Sequence, residues 1–397
     1  MPSDSTHPML FIPELVFEFM GYLPQHTVDS DIDAAGLVCK LWRDVSLDAK
    51  WKTANLRPLL SMLAPLTDKM GSWAFKWEPR LEDWGRFDEV VCHVRTLRTG
   101  SMCRFSEKLY NTLKNRPDNT AFLLHNLRAL ETSETDITAV SDVLLIVPST
   151  INRLKIVSPW AGNDRNQRNF LKDVPTQFPQ LSELVLSRLH GSKKLQETLE
   201  VALSQLNALR LVDLSSQRLS PTILIVLGKL PLLEMMRLWI TSPPESELPP
   251  GAFQKLVELD LSSRFDSTVA SLLSTIAAQA HSLVRLSLRH RRDVCHKADL
   301  PAVMWAIATQ SRLQQLTVTD VVADVLFTDT LQILRPCGAL RFLRLEMSVF
   351  TLGVIDRDVK ELMKHIGSLR RVYIKLMERA NSSAGPDICP RQVWIEK

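Results

Sequence analysis

Hydrophobic residues recur along most of the chain in a six-residue pattern, Leu-x-x-Leu-x-Leu with conservative replacements. Clear copies include INRLKI at 151–156, LVELDL at 256–261 and LRRVYI at 369–374, and weaker ones begin at residues 94 and 127. Successive clear copies start 23 to 30 residues apart. Because neighbouring side chains of a strand point to opposite faces, each copy predicts a short strand whose fourth and sixth positions point inward. The third, fifth and seventh positions then point outward.

The segments between these strands have the spacing of amphipathic helices. Residues 265–282 begin with a capping Asp266 or Ser267 and carry apolar residues at helical intervals. A strand, a helix and a return to the next parallel strand therefore repeat about ten times along the chain. We predict an α/β fold, a leucine-rich-repeat solenoid shaped as a horseshoe with parallel strands on its concave side and helices on its convex side.

A doubly wound α/β enzyme is the alternative interpretation of alternating strands and helices. No glycine-rich turn follows any of the strands, and the chain has only 13 glycines, which disfavours this class. The repeats also depart from the commonest leucine-rich pattern, because the ninth position of a unit is Gln217, Arg264, Arg291 or Ser348 instead of asparagine. Without an asparagine ladder across the turns, we expect the curvature to be irregular.

The outward positions of successive strands should form adjacent columns about five ångströms apart on the open face of the sheet. They predict an acidic zone in the middle repeats, with Arg237 as an exception, and a basic zone toward the C-terminal end. The acidic residues are Glu183, Asp213, Glu258 and Asp260. The predicted substrate-binding residues are Arg285, Arg289, Phe342, Arg344, Arg371, Tyr373 and Lys375, and Trp239 shares their columns. The alternative is that these charges only keep an open sheet soluble.

The first part of the chain has a different pattern, which predicts three short helices over residues 11–56. Pro13 suits the first turn of a helix whose apolar residues end at Leu23, before Pro24. A second helix is predicted from about Ser30 through Trp42, and a short third one should hold Trp51. Three short helices bury little surface alone, so their exposed apolar side chains indicate a partner.

These residues resemble the F-box motif. The resemblance is carried by PELVFEFMGYLP at 13–24 and LVCKLWRDVSLDAKW at 37–51, although Ile12 replaces the usual first leucine and Lys50 precedes Trp51. Residues 81–97 are similar to the segment before the first repeat in fungal F-box proteins. The resemblance implies docking on the Skp adaptor of an SCF-type ubiquitin ligase, and through it on cullin. The implied adaptor-binding residues are Ile12, Pro13, Leu15, Val16, Phe19, Leu23, Leu37, Val38, Trp42 and Trp51.

The predicted domains follow from these patterns. Residues 11–56 form the F-box module, and residues 57–90 form a helical and aromatic linker that caps the array. Residues 91–380 contain about ten or eleven irregular leucine-rich repeats, and residues 381–397 form a tail. The aromatic residues near the linker (Trp73, Phe75, Trp77, Trp84 and Phe87) fit such a cap better than a ligand cage.

Composition restricts the classes of function. Hydrophobic residues make up 45% of the chain and charged residues 23%, as in a globular protein that buries a large core. A net charge of +4 gives no reason to expect nucleic acid or a membrane as a partner. The first residues lack a basic region before their apolar run, and the six cysteines show no paired spacing. We therefore expect reduced cysteines and a cytoplasmic or nuclear location.

No motif for a nucleophile, a phosphate-binding loop or a zinc hydrolase occurs in the chain. Residues 29–36 lack the glycine and glutamate positions of a calcium loop, and residues 290–296 lack a second pair of zinc ligands. We expect no catalytic residues, no cofactor and no metal site. The predicted function is a substrate receptor that positions an unknown target protein for ubiquitination. The alternatives are a leucine-rich-repeat scaffold or sensor without a ligase role, and a degenerate F-box.

Overall fold

The structure is a computed structural model of the 397-residue chain. It divides into two compact units, residues 1–170 and 171–397, and the boundary falls within a helix. The residues that it describes are 12–21, 28–69, 71–100, 104–116, 123–133, 137–144, 146–157, 164–187, 189, 192–240, 246–263, 267–290, 300–323, 331–349, 355–378 and 390–396.

Unit 1, residues 1–170, contains a helical module, a small sheet and the first repeats. Its helices are α1 (Pro13–Gly21), α2 (Val28–Ala35), α3 (Lys40–Trp51), α4 (Leu56–Ser61), α5 (Leu81–Val91), α6 (Glu107–Lys114), α7 (Ile137–Leu144) and the first part of α8 (Asp164–Gln177). Its strands are β1 (Thr53–Asn55), β2 (Leu66–Lys69), β3 (Ser72–Phe75), β4 (Thr96–Thr99), β5 (Arg104–Phe105), β6 (Ala129–Thr132) and β7 (Arg153–Ile156). Strands β1, β4, β6 and β7 pair in parallel in that order.

The helical module has a small core made by one residue from each of its three helices. Val16 of α1, Ile32 of α2 and Val45 of α3 are buried together, and Trp42 packs against them. The second helix ends at Ala35, so the prediction of one helix from Ser30 through Trp42 is wrong. The chain turns at Gly36, which is a poor helix former. The turn lets Ile32 and Val45 meet, whereas a single straight helix would hold them apart.

Two of the segments predicted as domains in unit 1 contain strands. Strand β1 pairs with β4, so the parallel sheet already begins inside the segment predicted as the F-box module. The predicted linker contains β2 and β3, which join β5 in a separate three-stranded sheet. Four of the five linker aromatic residues are buried, and the rings of Trp84 and Phe87 lie 6.0 Å apart. Only Trp77 is largely exposed, so these aromatic side chains serve packing.

The described residues of unit 2, which covers 171–397, include nine strands. They are β8 (Glu183–Leu186), β9 (Leu211–Leu219), β10 (Met235–Ile240), β11 (Glu258–Ser263), β12 (Arg285–His290), β13 (Gln315–Ala323), β14 (Phe342–Val349), β15 (Arg371–Glu378) and β16 (Pro390–Glu396). The described helices after α8 are α9 (Lys193–Gln205), α10 (Ile223–Gly228), α11 (Ser267–Gln279), α12 (Leu300–Ala308) and α13 (Ile355–His365). Strands β8 to β15 pair in parallel.

The strand register confirms which positions of the repeat point inward. Leu259 lies opposite Leu286, which lies opposite Leu316, and the next two strands continue this column. A second column begins at Leu261 and Leu288 in the same way. All of these side chains are buried against the layer of helices. The predicted fold class, an α/β leucine-rich-repeat array, is therefore confirmed.

Gln217, which stands at the ninth position of its unit, makes a hydrogen bond across the turn between two repeats. This side chain is 5% exposed, and its Oε1 atom accepts a hydrogen bond of 2.8 Å from the backbone N–H of Leu189 in the preceding repeat. Glutamine thus accepts a hydrogen bond across the turn at the position where asparagine is usual. The buried hydroxyl of Ser263 makes a similar tie by donating to the backbone oxygen of Ile240 at 2.6 Å. Arg264 and Arg291 lie outside the described residues, as does the Ser348 side chain.

The predicted tail of residues 381–397 includes a strand of the sheet. Residues 390–396 form β16, which runs antiparallel to β15, and Arg371 Nε lies 2.7 Å from the Glu396 carboxylate across the pair. A sheet edge leaves backbone N–H and C=O groups unpaired, so a covering strand stabilises it. Residues 381–389 lie outside the described part of the chain.

Substitution of Gly228 tests the packing of two neighbouring segments in unit 2. A Cβ atom on Gly228 would lie 2.9 Å from the Cβ atom of Ala252, which is closer than such atoms can approach. We expect Gly228→Ala to lower the free energy of unfolding by about 1–3 kcal/mol, measured by denaturant titration. The double variant with Ala252→Gly removes the clashing atom and should recover part of that loss. Equal stability of Gly228→Ala and the wild type would contradict the close approach.

Candidate partner-binding surfaces

The helical module leaves several large apolar side chains in solvent. Leu37 is 87% exposed and Val38 is 65% exposed, because both lie in the turn between α2 and α3. On α1, Phe19 is 54% exposed, and Leu15 lies one helical turn before it on the same side. Ile12 and Phe17 are each 42% exposed. We call these six residues the exposed apolar set.

Five of the ten residues predicted to bind the adaptor belong to this set, namely Ile12, Leu15, Phe19, Leu37 and Val38. Pro13 is also exposed at the start of α1. Val16 is not available at the surface, because it is 3% exposed and forms part of the module core. Trp42 and Trp51 are half-buried, and Leu23 lies outside the described residues.

Trp42 has a structural role that the helical spacing did not reveal. Its ring lies 6.1 Å from that of Phe19 and packs against the Val16–Ile32–Val45 core. Val38 lies before the start of α3, so it does not share a helix with Trp42, as the prediction of one helix through both had implied. Truncation of Trp42 would therefore disturb the module itself as well as any surface that it presents.

A cavity of about 170 Å³ next to Phe17 was not predicted. It is lined by Phe17, Asp48, Lys52, His93 and Arg95. His93 Nδ1 lies 2.5 Å from an oxygen of Asp48, and the Lys52 ammonium lies 5.5 Å from the centre of the Phe17 ring. These residues are separated by up to 78 positions in the chain, so no local motif connects them.

The outward columns in unit 2 exist as predicted, but their charges are paired. Arg237 lies between two carboxylates, 3.7 Å from Asp213 and 3.2 Å from Glu258. Glu258 also accepts a hydrogen bond of 2.6 Å from Nε of Arg285 on the next strand. Arg237 is therefore a bridging element of the predicted acidic zone, and Glu258 neutralises the first arginine of the predicted basic zone.

The remaining arginines of the predicted basic zone also have carboxylate partners. Arg344 Nε donates to Glu346 at 2.9 Å, Arg371 pairs with Glu396, and Arg289 lies 3.9 Å from Asp320. Lys375 lies opposite Glu346 in the register. The outward side of β8 to β11 carries four carboxylates (Glu183, Asp213, Glu258 and Asp260) and two cations (Arg218 and Arg237), and that of β12 to β16 carries five cations (Arg285, Arg289, Arg344, Arg371 and Lys375) and three carboxylates (Asp320, Glu346 and Glu396). Each zone keeps an excess of its predicted sign, and the ion pairs reduce that excess.

Three aromatic residues lie in the same outward columns and are half-buried. The guanidinium of Arg344 lies 5.2 Å from the centre of the Tyr373 ring, and that of Arg218 lies 6.0 Å from the Trp239 ring. Phe342 occupies the column of Arg285 and Arg371. Aromatic rings with a cation on one face are common anchors in protein interfaces.

Asp260 is the one carboxylate among the described outward positions of unit 2 with a resolved change of pKa. Burial raises the pKa of its carboxyl group, and the neighbouring Arg289 and Arg237 act in the opposite direction. Asp213 and Glu258 add to the increase because they are like charges. Desolvation prevails over attraction here because the guanidinium groups are shared with other carboxylates.

The outward face in unit 1 has a different composition. Strands β1, β4, β6 and β7 place four charged side chains there: Arg98, Glu131, Arg153 and Lys155. Arg98 lies 3.1 Å from Glu131, and Arg153 lies 3.5 Å from the same carboxylate. Sequence reasoning missed this group, although the outward positions of the copies at 94, 127 and 151 already contain it.

Other side chains that could take part in chemistry include a thiol and a histidine. Burial raises the pKa of the Cys337 thiol to about 11, which keeps it protonated and unreactive. His290 is the buried last residue of β12, and residues 291–296 lie outside the described part of the chain. Within the described ranges, no three histidine, cysteine or acidic residues are grouped closely enough to hold a metal ion. No described helix is both long and apolar enough to cross a membrane.

No protein-family model and no curated protein matches this chain. Among solved structures, the crystal structure of a TLR13–ssRNA13 complex contains a chain that is 16% identical, with a TM-score of 0.41, and the match covers 73% of this chain and 40% of that one. A leucine-rich-repeat protein of Leptospira interrogans is 12% identical, with a TM-score of 0.27, over 80% of this chain and 99% of that one. Both TM-scores lie below 0.5, so the repeat assignment rests on the strand register of this chain itself.

The raised pKa of Asp260 predicts a pH dependence of stability. Between its unfolded and folded pKa values the folded state binds the proton more strongly, so this group's contribution is present at low pH and is lost as pH rises. Asp260→Asn removes the titration, and its stability relative to wild type should increase as pH rises through that range. Thermal unfolding at a series of pH values measures this difference. Ser287→Ala, at the position opposite Asp260 on β12, is the pH-independent control; a flat Asp260→Asn difference would contradict the prediction.

Proposed function

We propose that this chain is the substrate-recognition subunit of an SCF-type ubiquitin ligase. Residues 11–56 dock on the Skp adaptor, and through it on cullin, while the leucine-rich repeats bind a target protein. The chain itself supplies no catalytic group in this proposal. It acts by holding the target near the conjugating enzyme, which raises the effective concentration of the target's lysines.

The observation that carries the proposal is the exposed apolar set on a very small module. Burying one large aliphatic or phenylalanine side chain stabilises a complex by about 1.5–3 kcal/mol. The exposed apolar set contains six side chains of this kind. Leu37 and Val38 are the most exposed of the six, because they lie in a turn. Exposed apolar groups of this extent on a folded chain indicate a protein interface.

The core of the module supports the same conclusion. Among its described side chains, Val16, Ile32 and Val45 form the buried cluster, with Ala35, Trp42 and Ala49 packed around them. A core of this size gives little stability by itself. Docking on an adaptor would cover the exposed apolar set and would stabilise the module at the same time.

The alternative is a leucine-rich-repeat scaffold or sensor without a ligase role. The open outward face of the sheet suits the binding of a protein target in both cases. What separates the two functions is the partner of residues 11–56. In the alternative, the exposed apolar set has no Skp adaptor to bind, and the target is held without being ubiquitinated.

A matched pair of variants tests adaptor docking. Leu37→Glu places a charge in the exposed apolar set, whereas Leu81→Glu makes the same change at a 73% exposed leucine outside the helical module. Because both leucines are exposed, neither change should unfold the chain. We expect Leu37→Glu to weaken capture by recombinant Skp adaptor at least tenfold, by about 1.4 kcal/mol or more, and Leu81→Glu to have no effect.

The same capture experiment has two outcomes that would contradict the proposal. Absence of binding by the intact chain, with its repeats folded by circular dichroism, would favour the scaffold function. Binding that both variants weaken equally would place the adaptor elsewhere on the chain. Exposed Leu37 is a better probe than Trp42, since replacing Trp42 would also disturb the module core.

A further inference from the structure

Three cations and one carboxylate form a basic patch on the outward face of unit 1. In the register, Arg98 of β4 lies opposite Glu131 of β6, and Glu131 lies opposite Lys155 of β7. Arg153 lies two residues before Lys155 and so shares its face of the strand. The four side chains therefore occupy three neighbouring strands. We call Arg98, Glu131, Arg153 and Lys155 the basic patch.

The basic patch has a surplus of positive charge. Three cations against one carboxylate leave a net charge of +2 among the outward strand positions that are described in unit 1. The other outward residues of β1, β4 and β6 are Thr53, Asn55, Thr96 and Ala129, which have no charge. Among the described residues, no carboxylate lies within ion-pair distance of the Lys155 ammonium.

Glu131 prepares the two arginines for a ligand. Its side chain is mostly buried, and it lies 3.1 Å from Nε of Arg98 and 3.5 Å from Nη2 of Arg153. One carboxylate thus holds two guanidinium groups in fixed positions on either side of it. Because these long side chains are already ordered, less conformational entropy is lost when a partner binds.

The rim of the basic patch offers an apolar contact. Val157 follows β7, and it is 46% exposed on the same side as Arg153 and Lys155. Its backbone N–H donates to the oxygen of Thr132, so its position is fixed by the neighbouring strand. A partner that supplies carboxylates to the cations can therefore also bury an aliphatic side chain here.

We propose that the basic patch binds an acidic segment of a partner protein, whose aspartate or glutamate side chains pair with Lys155 and the two arginines. This inference rests on the proposed function, since the partner would be the target held by the repeats. A protein segment fits better than nucleic acid. A duplex presents about one phosphate per 1.7 Å, whereas the patch offers three cations with a carboxylate in their middle and no aromatic side chain for stacking.

A labelled peptide tests the proposal on the full chain. The probe is a short fluorescein-labelled peptide of glutamate, aspartate and glycine with one valine, and its control replaces each acid by the corresponding amide. Fluorescence anisotropy at low ionic strength should show binding of the acidic peptide only, and this binding should weaken as salt is added.

Two matched lysine substitutions locate the binding. Lys155→Glu reverses a charge in the basic patch, whereas Lys108→Glu makes the same change at an exposed lysine of α6, outside the patch. We expect Lys155→Glu to weaken binding of the acidic peptide at least about tenfold and Lys108→Glu to change that binding less than about twofold. Thermal unfolding of both variants checks that each remains folded. Equal effects of the two substitutions, or no effect of Lys155→Glu, would overturn the proposal.

Two further readouts separate the competing explanations. The first is binding of a single-stranded oligothymidylate. If the chain binds it more strongly than the acidic peptide, and Lys155→Glu abolishes that binding, the partner is a nucleic acid and the proposal is overturned. Skp adaptor capture by Lys155→Glu should equal that of the wild type. If the intact chain fails to bind the adaptor but still binds the acidic peptide through Lys155, the ligase function fails and the basic patch stands.

Discussion

The burial of two aliphatic side chains from every repeat strand is the constraint on which the rest of this structure depends. These side chains pack in continuous columns, Leu259 to Leu286 to Leu316 and onward, because the parallel strands keep a common register. A shift of one residue would move each leucine to the outward face and each arginine into the core. The hydrophobic columns therefore fix the positions of the polar columns, including every ion pair described above.

This constraint also explains why opposite charges pair across neighbouring strands. An arginine at an outward position has carboxylates about five ångströms away on both sides whenever the adjacent strands supply them. Glu258 meets Arg237 and Arg285 in this way, and Glu131 meets Arg98 and Arg153. Recognition by such a surface depends more on the charged residues without an ion-pair partner than on the total number of charges. Lys155 is the clearest example among the described residues.

The sequence predicted what depends on local periodicity, and it failed where distant residues meet. Leu-x-x-Leu-x-Leu defines inward and outward positions strand by strand, so the fold class and the columns could be derived. Glu346 occupies the seventh, outward position of its unit and could have been included in the same way. Glu396 could not be predicted as a partner, because its strand has no repeat pattern. The turn at Gly36 was missed because apolar spacing continues across it. In the candidate adaptor surface, spacing identified apolar positions but could not distinguish buried Val16 from exposed Leu15.

The reversed direction of the last strand has an evolutionary consequence. Repeat arrays lengthen by duplication of a unit, and each new unit needs a parallel edge on which to pair. Strand β16 occupies that edge of β15 with an antiparallel partner, so a duplicated unit placed after β15 would have to displace it. A unit copied between two existing parallel strands meets no such obstacle. Length variation among descendants of this gene should therefore accumulate in the interior of the array, while its last two strands are inherited as one block.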